Sequence, residues 1–244
     1  MVDLVTVLST THLEYQQDIV YACLKSLNQL LKLSQPRQEQ LVLAGGIPIL
    51  KDSLKYGKLC EEHAVNLLQC MPTASSYCSK IMHSFDIFSL LISYLSKYPR
   101  ILDGITKWVA FDKRNCTNEI LKTQNLETLI ELFATTQNFD HLLQSFITIF
   151  TASEALICEF SRSSVFLGRL MKESSKVTQP QQVKNCLDLL LMVCSKHPKP
   201  RQLLEEYYMY PVIVGILHQS HDKDRVVVEE IATMLLQKFS QVNN

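Results

Sequence analysis

The sequence predicts an all-α fold, a right-handed solenoid of stacked helical repeats, on three observations. An apolar pair four residues apart recurs along the chain as Leu4/Leu8, Leu50/Leu54, Leu91/Leu95, Leu129/Phe133, Leu167/Met171 and Ile213/Leu217, in steps of 46, 41, 38, 38 and 46 residues. Each pair precedes a longer amphipathic helix. Only six of the 244 residues are glycine and no period-two apolar run persists, which argues against strands. Repeats of about forty residues built only from helices cannot bury their apolar faces singly, so they form a core by stacking. The expected organisation is one repeat domain over residues 1–244.

Residues 1–33 read as an incomplete first repeat. They supply only a second helix over 2–9 and a third over 13–33, as in a degenerate cap or a segment cut from a longer protein. The next repeat, 34–71, is the clearest. Its first helix runs over 38–44 and is stopped by Gly45-Gly46, because a helix end asks for a left-handed residue. Pro48 suits the first turn of the second helix, which ends near Tyr56 and Gly57. A third helix covers 60–71, before Pro72. Repeat 72–111 holds helices over 75–84, 87–97 and 100–111. Repeat 112–153 holds 112–122, 126–135 and 139–152. Repeat 154–198 holds 154–161, 165–174 and 181–197. Repeat 199–244 holds 200–208, 211–219 and 222–239, then a polar tail that reads as a chain end. Prolines 36, 72, 99, 180, 198, 200 and 211 fall at or near these boundaries, as helix breakers should. Period and triplet plan together specify a solenoid of armadillo or HEAT type, in which Leu50→Asp or Leu129→Asp should unfold neighbouring repeats as well.

Composition excludes several function classes. Lys+Arg and Asp+Glu both number 24, and the halves 1–122 and 123–244 balance nearly as well, so the basic footprint of a nucleic-acid binder is missing. The most basic segment, Lys196 to Arg201, reads as a solvated loop. No apolar run approaches a membrane span. The eight cysteines fall mostly on apolar helix positions without a Cys-x-x-Cys pair, as in a cytosolic protein that uses cysteine as a small hydrophobe. Cys70, Cys78 and His83 match no standard zinc spacing. Asn115-Cys116-Thr117 is formally a glycosylation sequon, but no secretory signal pattern precedes it. No catalytic motif occurs, no cofactor is implied, and the isolated chain is expected to lack enzymatic activity. The single tryptophan, Trp108, reads as core.

The segment Arg37-Gln38-Glu39-Gln40-Leu41-Val42-Leu43-Ala44-Gly45-Gly46-Ile47-Pro48-Ile49-Leu50 resembles the armadillo consensus around its Gly-Gly-Ile-Pro turn. In its full wording, over about residues 27–54, it resembles the helical-repeat region outside the kinase domain of septation-initiation and mitotic-exit network kinases, and of their plant relatives, the epsilon-type mitogen-activated-protein kinase kinase kinases. The other repeats agree with that group in period and helix plan. The kinase Gly-rich loop, His-Arg-Asp and Asp-Phe-Gly are absent, so the resemblance implies the regulatory part of such a kinase. It further implies recruitment by a Ras-like small GTPase and a spindle-pole scaffold, and a place in the cytoplasm, at a spindle pole body, centrosome or division site. A general armadillo adaptor holding an extended peptide is the alternative. A nuclear-import receptor is disfavoured, because one tryptophan cannot make a tryptophan–asparagine ladder.

Third helices line the concave face of armadillo folds, and their polar stripes are the candidate groove. The first carries Asp18, Tyr21, Lys25, Asn28 and Lys32; the next Glu62, Asn66 and Gln69; then Asp103 and Lys107. Further on come His141, Gln144 and Thr148, then Gln181, Lys184 and Asp188. Tyr21, Lys25, Asn28, Lys32, Asn66 and Lys107 are the expected partner contacts. Any one of them is equally an ordinary solvated residue, and only their stacking argues for a groove. A secondary candidate is Tyr207, Tyr208 and Tyr210, because three tyrosines and a methionine in four positions cannot all face inward.

Overall fold

The computed structural model describes Thr6, residues 16–177, 179–219 and 225–240. Among the described residues there are sixteen α-helices and no strand. The pair Leu4/Leu8 and most of the expected 2–9 helix lie outside the described residues. So do the start of the 13–33 helix, the first residues of the 222–239 helix and the end of the tail.

The chain divides into two compact units, residues 1–119 and 120–244. The first holds α1 (Gln16–Leu31), α2 (Gln35–Leu43), α3 (Gly46–Ser53), α4 (Lys58–Cys70), α5 (Ser76–Ser84), α6 (Ile87–Ser93), α7 (Ile101–Phe111) and α8 (Lys113–Ile120), whose last residue opens the second unit. The second holds α9 (Thr123–Thr135), α10 (Phe139–Ala152), α11 (Glu154–Ser161), α12 (Ser164–Ser174), α13 (Pro180–Lys196), α14 (Pro200–Glu206), α15 (Met209–Gln219) and α16 (Arg225–Ser240). The triplets are those the sequence lays out. In the first unit the third helices stack α1 on α4 and α4 on α7, and in the second α10 on α13 and α13 on α16. The fold is an all-α solenoid of armadillo type.

Local chemistry explains where the helices start and stop. Gly45 takes φ +75° between α2 and α3, the left-handed turn expected of Gly-Gly-Ile-Pro. The equivalent turn between α5 and α6 is made by Asp86 at φ +56°, and that between α14 and α15 by Tyr208 at φ +53°. Ser75, Asn138 and Ser163 cap α5, α10 and α12 with side-chain oxygens. Several expected boundaries move by one to four residues, and two of the shifts have a visible cause. The 87–97 helix ends at Ser93, because Tyr94, Leu95 and Lys97 turn tightly on i−3 carbonyls. The 200–208 helix ends at Glu206, and the next begins at Met209, ahead of Pro211. Pro211 is still in the first turn, where its missing N–H costs nothing.

The core is continuous within each unit. Leu50, Leu91, Leu95, Leu129, Phe133, Leu167, Met171 and Ile213 of the apolar pairs are buried, and Leu54 is half-buried. Seven of the ten phenylalanines lie in the second unit. Phe146 sits among Phe133, Phe160, Phe150 and Phe166, at ring separations of 4.8, 5.5, 5.9 and 5.9 Å. Such offset and edge-on pairs add to the area they bury. Trp108 is fully buried, as expected.

Candidate protein-binding faces

The third-helix face of the first unit gathers most of the expected contacts. Asn28 on α1 donates its side-chain amide to the Leu24 carbonyl at 3.0 Å and across to the His63 carbonyl of α4 at 3.1 Å, and the same nitrogen lies 3.2 Å from His63 Nδ1. Tyr21 packs its ring 5.4 Å from that of His63, and Lys25 carries its ammonium 5.8 Å from the Tyr21 ring centre. Lys25 is exposed, and Tyr21 and Asn28 are half-buried. On α4, Gln69 donates to Asn66 at 3.1 Å and leaves Asn66 exposed. Lys107 is exposed on α7. Lys32 lies in the turn after α1, not on the helix, so it extends the row past the helix end.

Sequence reasoning missed two participants. No motif marks His63, although it stands three residues before Asn66 and therefore shares its helix face. Nor does any motif mark Gly104, which stands inside the helix over 100–111. A Cβ there would stand 2.8 Å from Gln69 Cβ and 3.0 Å from its carbonyl oxygen, so α7 and α4 meet backbone to backbone at this point.

The second unit carries its own polar face. Gln181 donates to Asn185 at 3.1 Å, Asn185 reaches Gln144 on α10 at 3.5 Å, and Gln182 donates to Asp140. Of the tyrosine cluster, Tyr207 lies against Gly168, Met209 is buried, and Tyr208 and Tyr210 are 79% and 54% exposed.

A buried polar group in the first unit tests for chemistry. Trp108 donates to Ser79 at 2.8 Å, and Ser79 donates to Asp112 at 2.8 Å. His83 Nε2 lies 3.5 Å from Asp112 and 3.9 Å from Cys116 Sγ. A relay needs acid and nucleophile on opposite ring nitrogens, but here both face Nε2. Cys116 is fully buried, and burial pushes its thiol far above the ordinary range. Cys70 and Cys186 are likewise pushed up, to about 11 and about 12, by burial. The group therefore works as a lock between α5, α7 and the start of α8. Thr117 is buried and the Asn115 amide bonds to Asp112, so the formal sequon lies in helix α8 and not in an open loop. Among the described residues no cluster of three His, Cys, Asp or Glu could hold a metal, and no helix is long and apolar enough to cross a membrane.

The lock makes stability pH-dependent. Burial pushes the Asp112 carboxyl up, but hydrogen bonds from Asn115 and Ser79 and the nearby His83 outweigh it and hold the group below the usual carboxylate range. A depressed folded value stabilises above the unfolded value and loses that contribution as pH falls through the folded one. Asp112→Asn should cost about 1–2 kcal/mol at neutral pH. The gap to wild type should close below about pH 4. Urea unfolding followed by Trp108 fluorescence at three pH values measures it; a gap constant with pH would contradict the assignment.

No family model matches the chain. It is 24% identical over 227 residues to cell division control protein 7 of Schizosaccharomyces pombe, covering 91% of this chain and 21% of that protein. It is 27% identical over 239 residues to MAP3K epsilon protein kinase 1 of Arabidopsis thaliana, covering 92% and 17%. The resemblance read over residues 27–54 thus extends across about nine-tenths of the chain. The chain spans about a fifth of the length of these relatives. Among solved structures it is similar to a computationally designed armadillo repeat protein for modular peptide recognition, with TM-score 0.73 and 14% identity, over 98% of this chain and 99% of that one. It is also similar to a designed armadillo repeat protein in complex with the peptide (KR)4, with TM-score 0.68 and 14% identity, over 98% of each.

Proposed function

We propose that this chain is a non-catalytic protein-interaction domain, the regulatory or targeting region of a cell-division signalling kinase. Its armadillo fold, its kinase relatives and the small share of their length that it spans support this reading. The observation that carries it is the third-helix face of the first unit, where Tyr21, Lys25, Asn66 and Lys107 stand on stacked helices beside the exposed acids Asp18, Glu62 and Asp103. That composition suits a folded protein surface or scaffold segment better than a polyanion. The proposed partners are a Ras-like small GTPase and a spindle-pole scaffold, met in the cytoplasm or at the division site. Tyr208 and Tyr210 are the second candidate contact.

An affinity pull-down from cell extract, loaded with GTP analogue or GDP, tests the reading with wild type beside a Lys25→Glu/Lys107→Glu variant. Recovery of a GTPase should be nucleotide-dependent and fall about tenfold or more in the variant, with thermal stability within about 0.5 kcal/mol of wild type. Equal recovery of every partner by both proteins would remove the first-unit face. A second reading, a general adaptor for an extended peptide, is favoured by the likeness to a designed armadillo protein with a bound peptide. It predicts binding that ignores nucleotide.

A further inference from the structure

The seven buried residues of α10 recur 44 positions later as the seven of α13. Gln144 and Asp188 therefore hold the same station on neighbouring third helices, and His141 is level with Asn185. In α16 the buried residues Val228, Ile231, Ala232 and Leu235 repeat those of α13 at an offset of 45, which sets Glu230 level with Asn185. Along this face the amides are linked in a chain, Gln181 to Asn185 to Gln144. Asp188 continues the row one turn beyond Asn185, half-buried, yet no described residue donates a hydrogen bond to it. Its nearest cation, Lys184, lies one turn earlier in the weaker Lys-before-acid order and forms no ion pair with it. Burial pushes the Asp188 carboxyl up against the weaker opposing pull of Lys184, whereas the paired carboxylates Glu61, Asp112 and Glu173 are all held down. A half-buried carboxylate without donors is a cost that the fold itself does not explain. Asp140, Glu229 and Glu230 share the three third helices with it, against Lys184 and the imidazole of His141 among the basic groups along the row.

We propose that the third-helix face of α10, α13 and α16 holds an extended peptide segment bearing lysine or arginine, with one basic side chain seated on Asp188 and the main chain hydrogen-bonded by Asn185 and Gln144. The proposal rests on the reading that third-helix faces receive partner segments, and it names the chemistry of one such segment. A cation there supplies the missing donors and offsets the acidic excess of the row, while the amide chain offers both donors and acceptors to a peptide backbone.

Fluorescence anisotropy with a labelled alternating Lys-Arg octapeptide, titrated with the full chain at low and high salt, tests it. Binding should weaken with salt, resist competition by a Ser-Gly octapeptide, and fall about three- to tenfold in Asp188→Asn. Lys184→Gln should tighten it, and Asp86→Asn, in an exposed turn of the other unit, should leave it unchanged. Circular dichroism controls for folding of each variant. Loss in Asn185→Ala without loss in Asp188→Asn would mean that the face holds a peptide but not its basic side chain, which overturns the proposal and spares the reading beneath it. Equal weakening by Asp86→Asn would reduce the effect to general charge and overturn it too. No binding of the octapeptide overturns it outright, while the nucleotide-loaded pull-down judges the first-unit face separately.

Discussion

Leu129→Asp should abolish the native fold of the second unit. Leu129 is fully buried on α9, which packs against α12 and stands one helical turn before Phe133. Removing the leucine costs about 2–5 kcal/mol by loss of burial and the cavity left behind. A carboxylate with no donor in that apolar wall adds several more. The sum approaches the whole stability of an ordinary domain, roughly 5–15 kcal/mol. The aromatic cluster spreads the damage, because Phe133 contacts Phe139, Phe146 and Phe166 on two other helices. Hydrogen exchange should show protection lost together in α9, α10 and α12. The deficit should shrink as pH falls, since a buried carboxyl has a raised folded value and regains its neutral form; Leu129→Asn should lack that pH dependence. Protection lost in α9 alone would show that the repeats of this unit do not share one core.

Gly104→Val should be the most damaging change on the third-helix face of the first unit. The new Cβ would meet Gln69 Cβ and carbonyl oxygen at 2.8 and 3.0 Å. Neither atom can swing away, so α7 must shift from α4, at about 1–3 kcal/mol. Gly104→Ala gains up to about 1 kcal/mol of helix propensity and loses a comparable amount to the same contact. Its net effect should therefore be far smaller than that of valine. Gln69→Ala should fail to rescue Gly104→Val, because the obstruction is not the end of a flexible side chain. Rescue in urea titrations of the double variant would show that the helices do not meet at the backbone.

How much of this was legible depends on whether a feature lives in one helix or between two. The helix over 139–152 and that over 154–161 match the sequence reading at both ends, because Asn138 and Ser153 mark the starts and apolar period 3.6 fills the interiors. The burial of Trp108 and of most cysteines followed from the same arcs. The Gly-Gly-Ile-Pro turn was legible through glycine, whereas the turns at Asp86 and Tyr208 were not, since aspartate only tolerates a positive φ and tyrosine seldom takes one. Among the candidate contacts, Tyr21, Lys25, Asn66 and Lys107 were found as exposed or half-exposed stripe residues. That Asn28 is largely occupied by His63 could not be read, because the acceptor is a backbone carbonyl 35 residues away. The join of Ser79 and Trp108 with Asp112 stayed hidden for the same reason: it unites three helices whose sequences show only ordinary polar positions.

Four of the joins between helices share one property. Lys51 donates to the carbonyl of Phe85, Arg169 to that of Thr136, Gln38 to that of Leu31 and Asn28 to that of His63. Every acceptor is a peptide oxygen, which any residue supplies. Only the donor's half of each latch is written in the amino-acid code, and the receiving half survives whatever substitution befalls it. A joint of this kind can drift at one side without losing its spacing. Over evolutionary time such a molecule sheds its signature motifs while keeping its cadence, and the relatives here, a quarter identical across nine-tenths of the chain, have the divergence that such fastening permits.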